Sequence, residues 1–414
     1  MSVASAYTVV MKFGGTSVSD AERIKNAARR IVQRAEEGAR VVAVLSARGK
    51  HTDELIAMAH EVSPRPHPRE MDMLLSTGER MSCALVAMAI HDLGHEAMSL
   101  TGSQAGILTD AVHTRAKIVD IHPQRVIAGL DEGRIVLVAG FQGMSSLSRD
   151  VTTLGRGGTD ATAVALAAAL GAACEICSDV AGVYTADPRI VPEARKLPRI
   201  SYEEMLEMSA SGAKVLMLRS VELARNHAVR VHSRSTFSQE EGTWVVPAEE
   251  VMENPIISGV THSESEVIFT LTGIPDRPGA AATVFDAVAA QHVNVDTIMQ
   301  NVVHGQAEVS FSVPREDVAA TRRGIEAASD SLGTFAIAED DSMGKVSIIG
   351  AGMRSHPGVA AKMFRTLADL GINLRMISTS PIKISCMIAL SEVPGAVRAL
   401  HSAFELETPP VVER

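Results

Sequence analysis

Aromatic side chains are scarce: one Trp, three Tyr and nine Phe in 414 residues, 3% of the chain. The core must therefore be filled by Ala, Val, Leu, Ile and Met from the 46% of apolar residues, a mix that suits helices packed on a mostly parallel sheet. Cysteine is scarce too. Four in a chain this long exclude a disulfide framework, and a reducing, cytoplasmic setting is expected. Cys174 and Cys177 have CxxC spacing, but AACEICSD reads as a buried strand, where residues three apart face opposite sides. Cys83 and Cys386 supply no second pair, so no metal site is expected. No apolar run approaches the roughly 20 residues of a spanning helix, and Met1 to Ser5 lack the basic-then-apolar order of a signal peptide. Positive charge is not in excess. A net charge of −10 argues against nucleic acid or an anionic membrane as partner, and any anionic substrate needs locally focused positive charge.

What is present is a long alternation of strands and helices. The apolar run Tyr7 to Phe13 breaks at Gly14-Gly15 and reads as a strand feeding a turn. Asp20 then caps a helix running to about Glu37. Further strands are expected at 41–45, 97–100, 135–139 and 173–177, with helices at 76–93 and 159–170 between them. This predicts an open, mostly parallel α/β sheet sandwiched by helices over residues 1–246. The polar, acidic stretch PAEEVMENPI, 247–256, reads as a linker.

Beyond it the chain repeats itself. PGAAATVFDAVAAQHVNVDTI (278–298) aligns without gaps on PGVAAKMFRTLADLGINLRMI (357–377). Each copy follows a strand (267–274 and 345–351) and precedes apolar alternation, with Asn294 and Asn373 opening the next strand. One unit of strand, Pro-Gly turn, helix and hairpin is too small to bury its own faces, so two copies should pair. The repeat resembles a tandem of ACT domains, ferredoxin-like α+β modules that bind small metabolites between paired copies. Boundaries at 257–335 and 336–414 follow. Gly350-Ala351-Gly352 imitates part of a dinucleotide fingerprint, but Ser355 stands at the third glycine and the repeat accounts for the segment better.

The chain lacks a Walker A motif: Gly49-Lys50 is followed by His51. Phosphate must be held otherwise, and two glycine loops qualify. Lys12-Phe13-Gly14-Gly15-Thr16-Ser17 ends the first strand. Its glycines let backbone N–H groups approach an anion, and Lys12 adds a point charge. Thr153-Leu154-Gly155-Arg156-Gly157-Gly158-Thr159-Asp160 opens an Ala-rich helix, whose N-terminus favours anions, and Arg156 offers a fork for a carboxylate. Alone, Asp160 reads as a helix cap, whereas Lys12, at the end of a buried N-terminal strand, reads better as a charge for phosphate than as a solvated turn lysine. His91 and His95 share helical spacing, but Gly94 intervenes and HExxH is absent, so they read as structural.

The two loops together, KFGGTSV and TTLGRGGTD, resemble the aspartokinases of the amino-acid kinase family. Leu75 to Arg80 (LSTGER), Ser178 to Arg189 (SDVAGVYTADPR) and Ser211 to Lys214 (SGAK) add to the resemblance, which spans nearly the whole chain. It implies ATP-dependent phosphorylation of the aspartate side chain, with Mg²⁺ accompanying ATP. Lys12, Phe13, Gly14 and Gly15 would hold the phosphates, and Ser178, Asp179, Tyr184, Asp187, Arg189 and Lys214 the nucleotide. Thr52 and Glu79 would line the aspartate pocket, Arg156 would clamp the α-carboxylate, and Gly157, Gly158 and Thr159 would close around substrate. Lys12 and Asp160 would be catalytic. Two positions depart from the family pattern: Ala181 replaces a frequent Asp, and Met217-Leu218 replace a frequent His-Pro.

Two other readings stay open on the residues alone. One is a relative acting on glutamate or a nucleoside monophosphate. The other is a catalytically silent amino-acid sensor, which the joint presence of Lys12, Glu79, Arg156 and Asp160 disfavours. The resemblance further implies feedback by lysine, threonine or both. Asp276, Asn294, Asp296 and Gln300 are candidate effector contacts in the first repeat, and Asn373 and Ser380 in the second. Pairing of repeats between chains predicts a homodimer or larger, or a heterotetramer with a shorter subunit started internally at Met252.

Overall fold

The computed structural model describes residues 7–251, 256–303 and 305–408. Met252 and most of the acidic end of the expected linker lie outside the described residues. Twelve strands come first: β1 (Thr8–Phe13), β2 (Arg40–Leu45), β3 (Ala97–Leu100), β4 (Ile107–Thr109), β5 (Ile118–Ile121), β6 (Ile135–Ala139), β7 (Gln142–Ser145), β8 (Val151–Thr153), β9 (Ala173–Ser178), β10 (Arg199–Ser201), β11 (Val231–Ser235) and β12 (Thr243–Val246). Eight form one sheet in the order β10-β12-β11-β9-β1-β2-β6-β3. It is parallel from β11 to β3, and β12 turns back antiparallel on β11. The central strand β1 is flanked on both sides, which explains why Val9, Val10, Met11 and Phe13 are all buried.

The helix Ala21–Glu36 begins where Asp20 accepts a hydrogen bond from the Arg23 N–H. It buries Ile24, Ala27, Ala28, Ile31 and Val32, the spacing of a one-sided stripe. The helix Gly158–Leu170 is different. Every residue from Gly158 to Ala167 is buried, because its alanines let it lie close to β1 and to the helix Leu218–Asn226. The helices Pro68–Leu75 and Thr77–His91 together match a membrane span in length and apolarity. They are half buried in the protein, however, and hold the buried carboxyls of Asp72 and Glu79.

A second sheet, β5-β4-β7-β8, was not expected from the sequence. Its strands are three or four residues long, and a stretch such as Gln142-Gly143-Met144-Ser145 has too little apolar alternation to announce itself.

The remaining strands are β13 (Gly259–Ser263), β14 (Glu266–Pro275), β15 (Ile298–Val303), β16 (Gln306–Pro314), β17 (Ala336–Asp340), β18 (Met343–Ile349), β19 (Met376–Ser380) and β20 (Lys383–Ala389). They make two antiparallel sheets, β15-β16-β14-β17 and β13-β18-β20-β19, one per repeat. The sheets do not respect the expected boundary at 335/336. β17 pairs with β14 of the first repeat, and β13 pairs with β18 of the second. Asn294 and Asn373 precede β15 and β19 rather than opening them. Each repeat has its own core, around Phe269, Phe311 and Val284 in the first and Ile348, Leu367 and Leu400 in the second.

The chain divides into two compact units. Tyr184–Arg195 and Ala210–Ala213 group with the C-terminal repeats. Ala186 and Val191 join the core of the second repeat, and the Thr185 hydroxyl meets the buried His401 Nε2 at 2.9 Å.

Candidate active site

Lys12 is the penultimate residue of β1, placed by register between Val44 of β2 and Ile176 of β9. Its Nζ lies 2.6 Å from Oδ1 of Asp160, and both side chains are about nine-tenths buried, at 11% and 9% exposure. Asp160 sits in the first turn of the helix Gly158–Leu170, where an acid complements the N-terminal dipole. The first glycine loop and the second therefore meet at this pair. The Lys12 ammonium also lies over Gly14, 3.4 Å from where a Cβ there would stand. Phe13 points the other way: its ring is fully buried in the core, so only its backbone faces the loop.

Gly15 is glycine for lack of room. A Cβ would lie 2.9 Å from the Ala47 carbonyl oxygen and 3.1 Å from that of Gly49. The loop after β2 is thereby drawn against the loop after β1, and the Gly49 N–H donates to the Gly15 carbonyl at 3.0 Å. Ala47 is also the anchor of Glu79. The Ala47 N–H donates to Glu79 Oε1 at 3.1 Å, while Glu79 Oε2 is buried without a partner. Burial pushes the Glu79 carboxyl up to about 7, against the pull of the Ala47 N–H. A buried carboxyl with one unused oxygen is matched to a cation that arrives with a ligand. Thr52 is half-buried in the first turn of the helix His51–Val62, which follows the same loop.

In the second loop Gly157 has φ 74°, a left-handed backbone, and a Cβ on it would lie 2.7 Å from Met217 Cγ. The departure at Met217 therefore packs on the second glycine loop itself. Gly158 and Thr159 are buried, and Arg156 is exposed beside them. The Arg219 guanidinium donates to the Leu154 and Ala116 carbonyls at 2.8 and 2.9 Å, fixing the loop from outside.

Ser178 ends β9 and its hydroxyl accepts from the Val180 N–H at 3.2 Å. Asp179 and Lys214 are exposed. Tyr184, Asp187 and Arg189 belong to the second compact unit. There Arg189 grips Asp187 through Nε and Nη2 at 3.0 and 2.7 Å, which holds the Asp187 carboxyl below its usual range. Ala181 is half-buried in the turn that follows Asp179.

Among the candidate effector contacts, Asp276, Asn294, Gln300 and Asn373 are exposed. Asp296 is engaged within the chain: its carboxylate accepts from Lys345 Nζ at 2.6 Å, and Glu266 accepts from the same ammonium at 3.1 Å. Ser380 lines a cavity of about 450 Å³ in the second repeat with Arg354, His356 and Thr379. Sequence reasoning missed Ala47, Asp72 and Arg219. Ala47 acts through backbone atoms and leaves no side-chain signal.

The family model described as "Amino acid kinase family" matches residues 7–234, and two ACT domain models match 268–330 and 346–404. The chain belongs to the amino acid kinase family. It is 54% identical over 404 residues to an aspartokinase of Mycolicibacterium smegmatis, covering 96% of each chain. It is 46% identical to an aspartate kinase of Pseudomonas putida, covering 97% of this chain and 98% of that one. Its fold is similar to that of E. coli aspartokinase III solved with aspartate and ADP in the R-state, with a TM-score of 0.82, 25% identity, and coverage of 96% and 99%. The same enzyme with lysine and aspartate, in the T-state, gives 0.75. By these relatives the chain is an aspartokinase, an ATP-using kinase, α/β in class, with ACT domains for allosteric regulation.

Proposed function

We propose that this aspartokinase transfers the γ-phosphoryl group of ATP to the side-chain carboxylate of L-aspartate, giving 4-phospho-L-aspartate and ADP, the opening step towards lysine, threonine and methionine. The observation that carries the reading is the Lys12–Asp160 pair at 2.6 Å where the two glycine loops meet. A carboxylate oxygen attacks the γ-phosphorus as its bond to the β-bridging oxygen breaks. The nucleophile is already deprotonated, so no general base is needed. The barrier is bringing an anion against a polyanion, and positioning plus positive charge lower it. Lys12 supplies that charge, and Asp160 holds its ammonium in place.

Glu79 receives the aspartate ammonium on its unpartnered oxygen, Arg156 takes the α-carboxylate, and Thr52 with Gly157, Gly158 and Thr159 completes the pocket. Gly14, Gly15 and the Phe13 backbone face the phosphates. Ser178, Asp179 and Lys214 contact the nucleotide, and the same role for Tyr184, Asp187 and Arg189 rests on the motif alone. No group of three metal-ligating side chains occurs among the described residues. A Mg²⁺ ion would come as part of the ATP substrate, bound to its phosphates.

Lysine, threonine or both are proposed effectors, with Asp276, Asn294, Gln300, Asn373 and Ser380 as contacts and Asp296 as one that Lys345 now occupies. The setting is cytoplasmic, consistent with four free, buried cysteines. A homodimer or larger assembly fits the apolar side chains on edge strands, Ile298 and Ile377 at 51% and 44% exposure. The deciding assay is ADP release from Mg-ATP with aspartate, glutamate or no acceptor, repeated with lysine and threonine. Release only with aspartate supports the kinase. Amino-acid binding without release would replace it by the sensor.

A further inference from the structure

Asp72 is a buried carboxylate that no step above uses. It lies in the helix Pro68–Leu75 with an exposure of 0%. Burying an unpaired carboxylate is prohibitive, so its partners must define its place. Oδ1 accepts from the Thr153 hydroxyl at 2.5 Å and from the Thr114 N–H at 3.1 Å. Oδ2 meets His113 Nδ1 at 2.6 Å. One carboxylate thus joins a helix, the turn at 113–114 and the end of β8, segments separated by 41 and 81 residues of chain.

Two of these partners bear directly on the second glycine loop, which carries Arg156. Thr153 is followed at once by Leu154-Gly155-Arg156. Thr114 has φ 66°, a left-handed backbone that a branched residue adopts only when its surroundings impose it. Its carbonyl abuts the loop, since a Cβ on Gly155 would lie 3.2 Å from that oxygen. The Ala116 N–H donates to the Thr153 carbonyl at 2.9 Å, and Arg219 ties Ala116 to Leu154 from the other side. The backbone leading into Arg156 is fixed at each residue before it, while the Arg156 side chain is exposed.

We infer that Asp72 is a positioning residue for aspartate binding: through Thr153 and Thr114 it sets where Arg156 presents its guanidinium, without touching substrate. The inference rests on the proposed role of Arg156 as the α-carboxylate clamp. Exchanging Asp72 alone strands the Thr114 N–H and the Thr153 hydroxyl, so a loss of stability by itself does not separate a packing role from a positioning one. A carboxylate kept for position sets the affinity for one substrate and not the other.

The test compares Asp72→Asn, Thr153→Val, Thr153→Ser and Arg156→Ala in the full-length protein, measuring KM for aspartate, KM for ATP and the urea midpoint. Asp72→Asn and Thr153→Val are expected to raise KM for aspartate about tenfold or more, because a small misplacement of a clamp is costly. KM for ATP should stay within about twofold, and Thr153→Ser, which keeps the hydroxyl, should behave as wild type. If Arg156→Ala leaves KM for aspartate unchanged, the clamp reading falls and this inference with it. If Arg156→Ala raises it while Asp72→Asn and Thr153→Val do not, the inference alone is overturned. Equal loss of both affinities along with the urea midpoint would make Asp72 structural and also overturn it. Should Asp72→Asn fail to fold, the Thr153 pair decides.

Discussion

Lys12 and Asp160 are each nearly sealed from water, so removing one strands the other in a place where an unpaired charge is expensive. Lys12→Ala is expected to lower kcat by about 10³-fold or more while KM for ATP shifts only a few-fold, because the ammonium acts most on charge that develops in transfer. Lys12→Arg should not rescue it, since a planar fork does not replace a point charge. Steady-state kinetics on the two variants decides this, and an unchanged kcat would end the catalytic role of Lys12. Glu79 supplies a pH signature. With its carboxyl at about 7 it is mostly protonated at pH 6 and cannot pair with an ammonium. KM for aspartate should therefore fall about tenfold between pH 6 and 8 while KM for ATP stays flat, and Glu79→Gln should remove the difference. The same raised value means that Glu79 favours the fold most below its ordinary range. That contribution is lost as the pH climbs towards 7. At this scale the sequence was readable where a side chain stands in a glycine-loop or family motif. Lys12, Glu79, Arg156 and Asp160 could all be singled out. Ala47 could not, because its contribution is an N–H and a carbonyl that any residue would bring.

Between residue and molecule the legible elements were the long ones. The strands at 97–100 and 135–139 and the helix capped by Asp20 stand where hydrophobic period and cap place them. The small sheet of β4, β5, β7 and β8 was invisible, and so was the carboxylate of Asp72 that braces it, because non-local hydrogen bonds leave no periodic trace. Lys345 is another such case. It lies in β18 at 2% exposure and is held by Glu266 and Asp296. Burial alone would lower its pKa, but the two carboxylates outweigh burial and raise it. Its charge, and the stability that comes with it, therefore persist throughout the neutral range and are lost only at alkaline pH. Lys345→Met leaves Glu266 without its cation and should cost about 3 kcal/mol, read from urea unfolding of the full chain. A cost near zero would show that the triad is dispensable for the fold.

On the scale of the whole chain, the kinase-family match and the two ACT matches occupy different stretches, and variants should separate catalysis from regulation. Asp276 is exposed in the turn before the first repeat's helix. Asp276→Ala is expected to relieve lysine or threonine inhibition, with a loss of coupling of roughly 1–3 kcal/mol, and to leave uninhibited turnover unchanged. Inhibition curves for the two amino acids measure it, and a fall in uninhibited activity would mark the residue as structural. The internal repeat announced the two regulatory modules plainly, since 21 aligned residues share one pattern. It could not show that Tyr184–Arg195 groups with them. Only packing reveals that Ala186 and Val191 fill a core built mainly from residues between Val346 and Leu406.

The crossing of β13 and β17 sets how this regulatory part can be handled by evolution or by an engineer. The first module, from β14 to β17, is spliced into the second, between β13 and β18. A cut at 335 would deprive the first module of its edge strand, and a transplant beginning at 343 would leave the second without β13. The two modules therefore move together or not at all, and with them the Tyr184–Arg195 stretch whose Ala186 and Val191 fill the second core. Excising 264–341 and rejoining β13 to β18 would leave the second module with all four strands of its sheet.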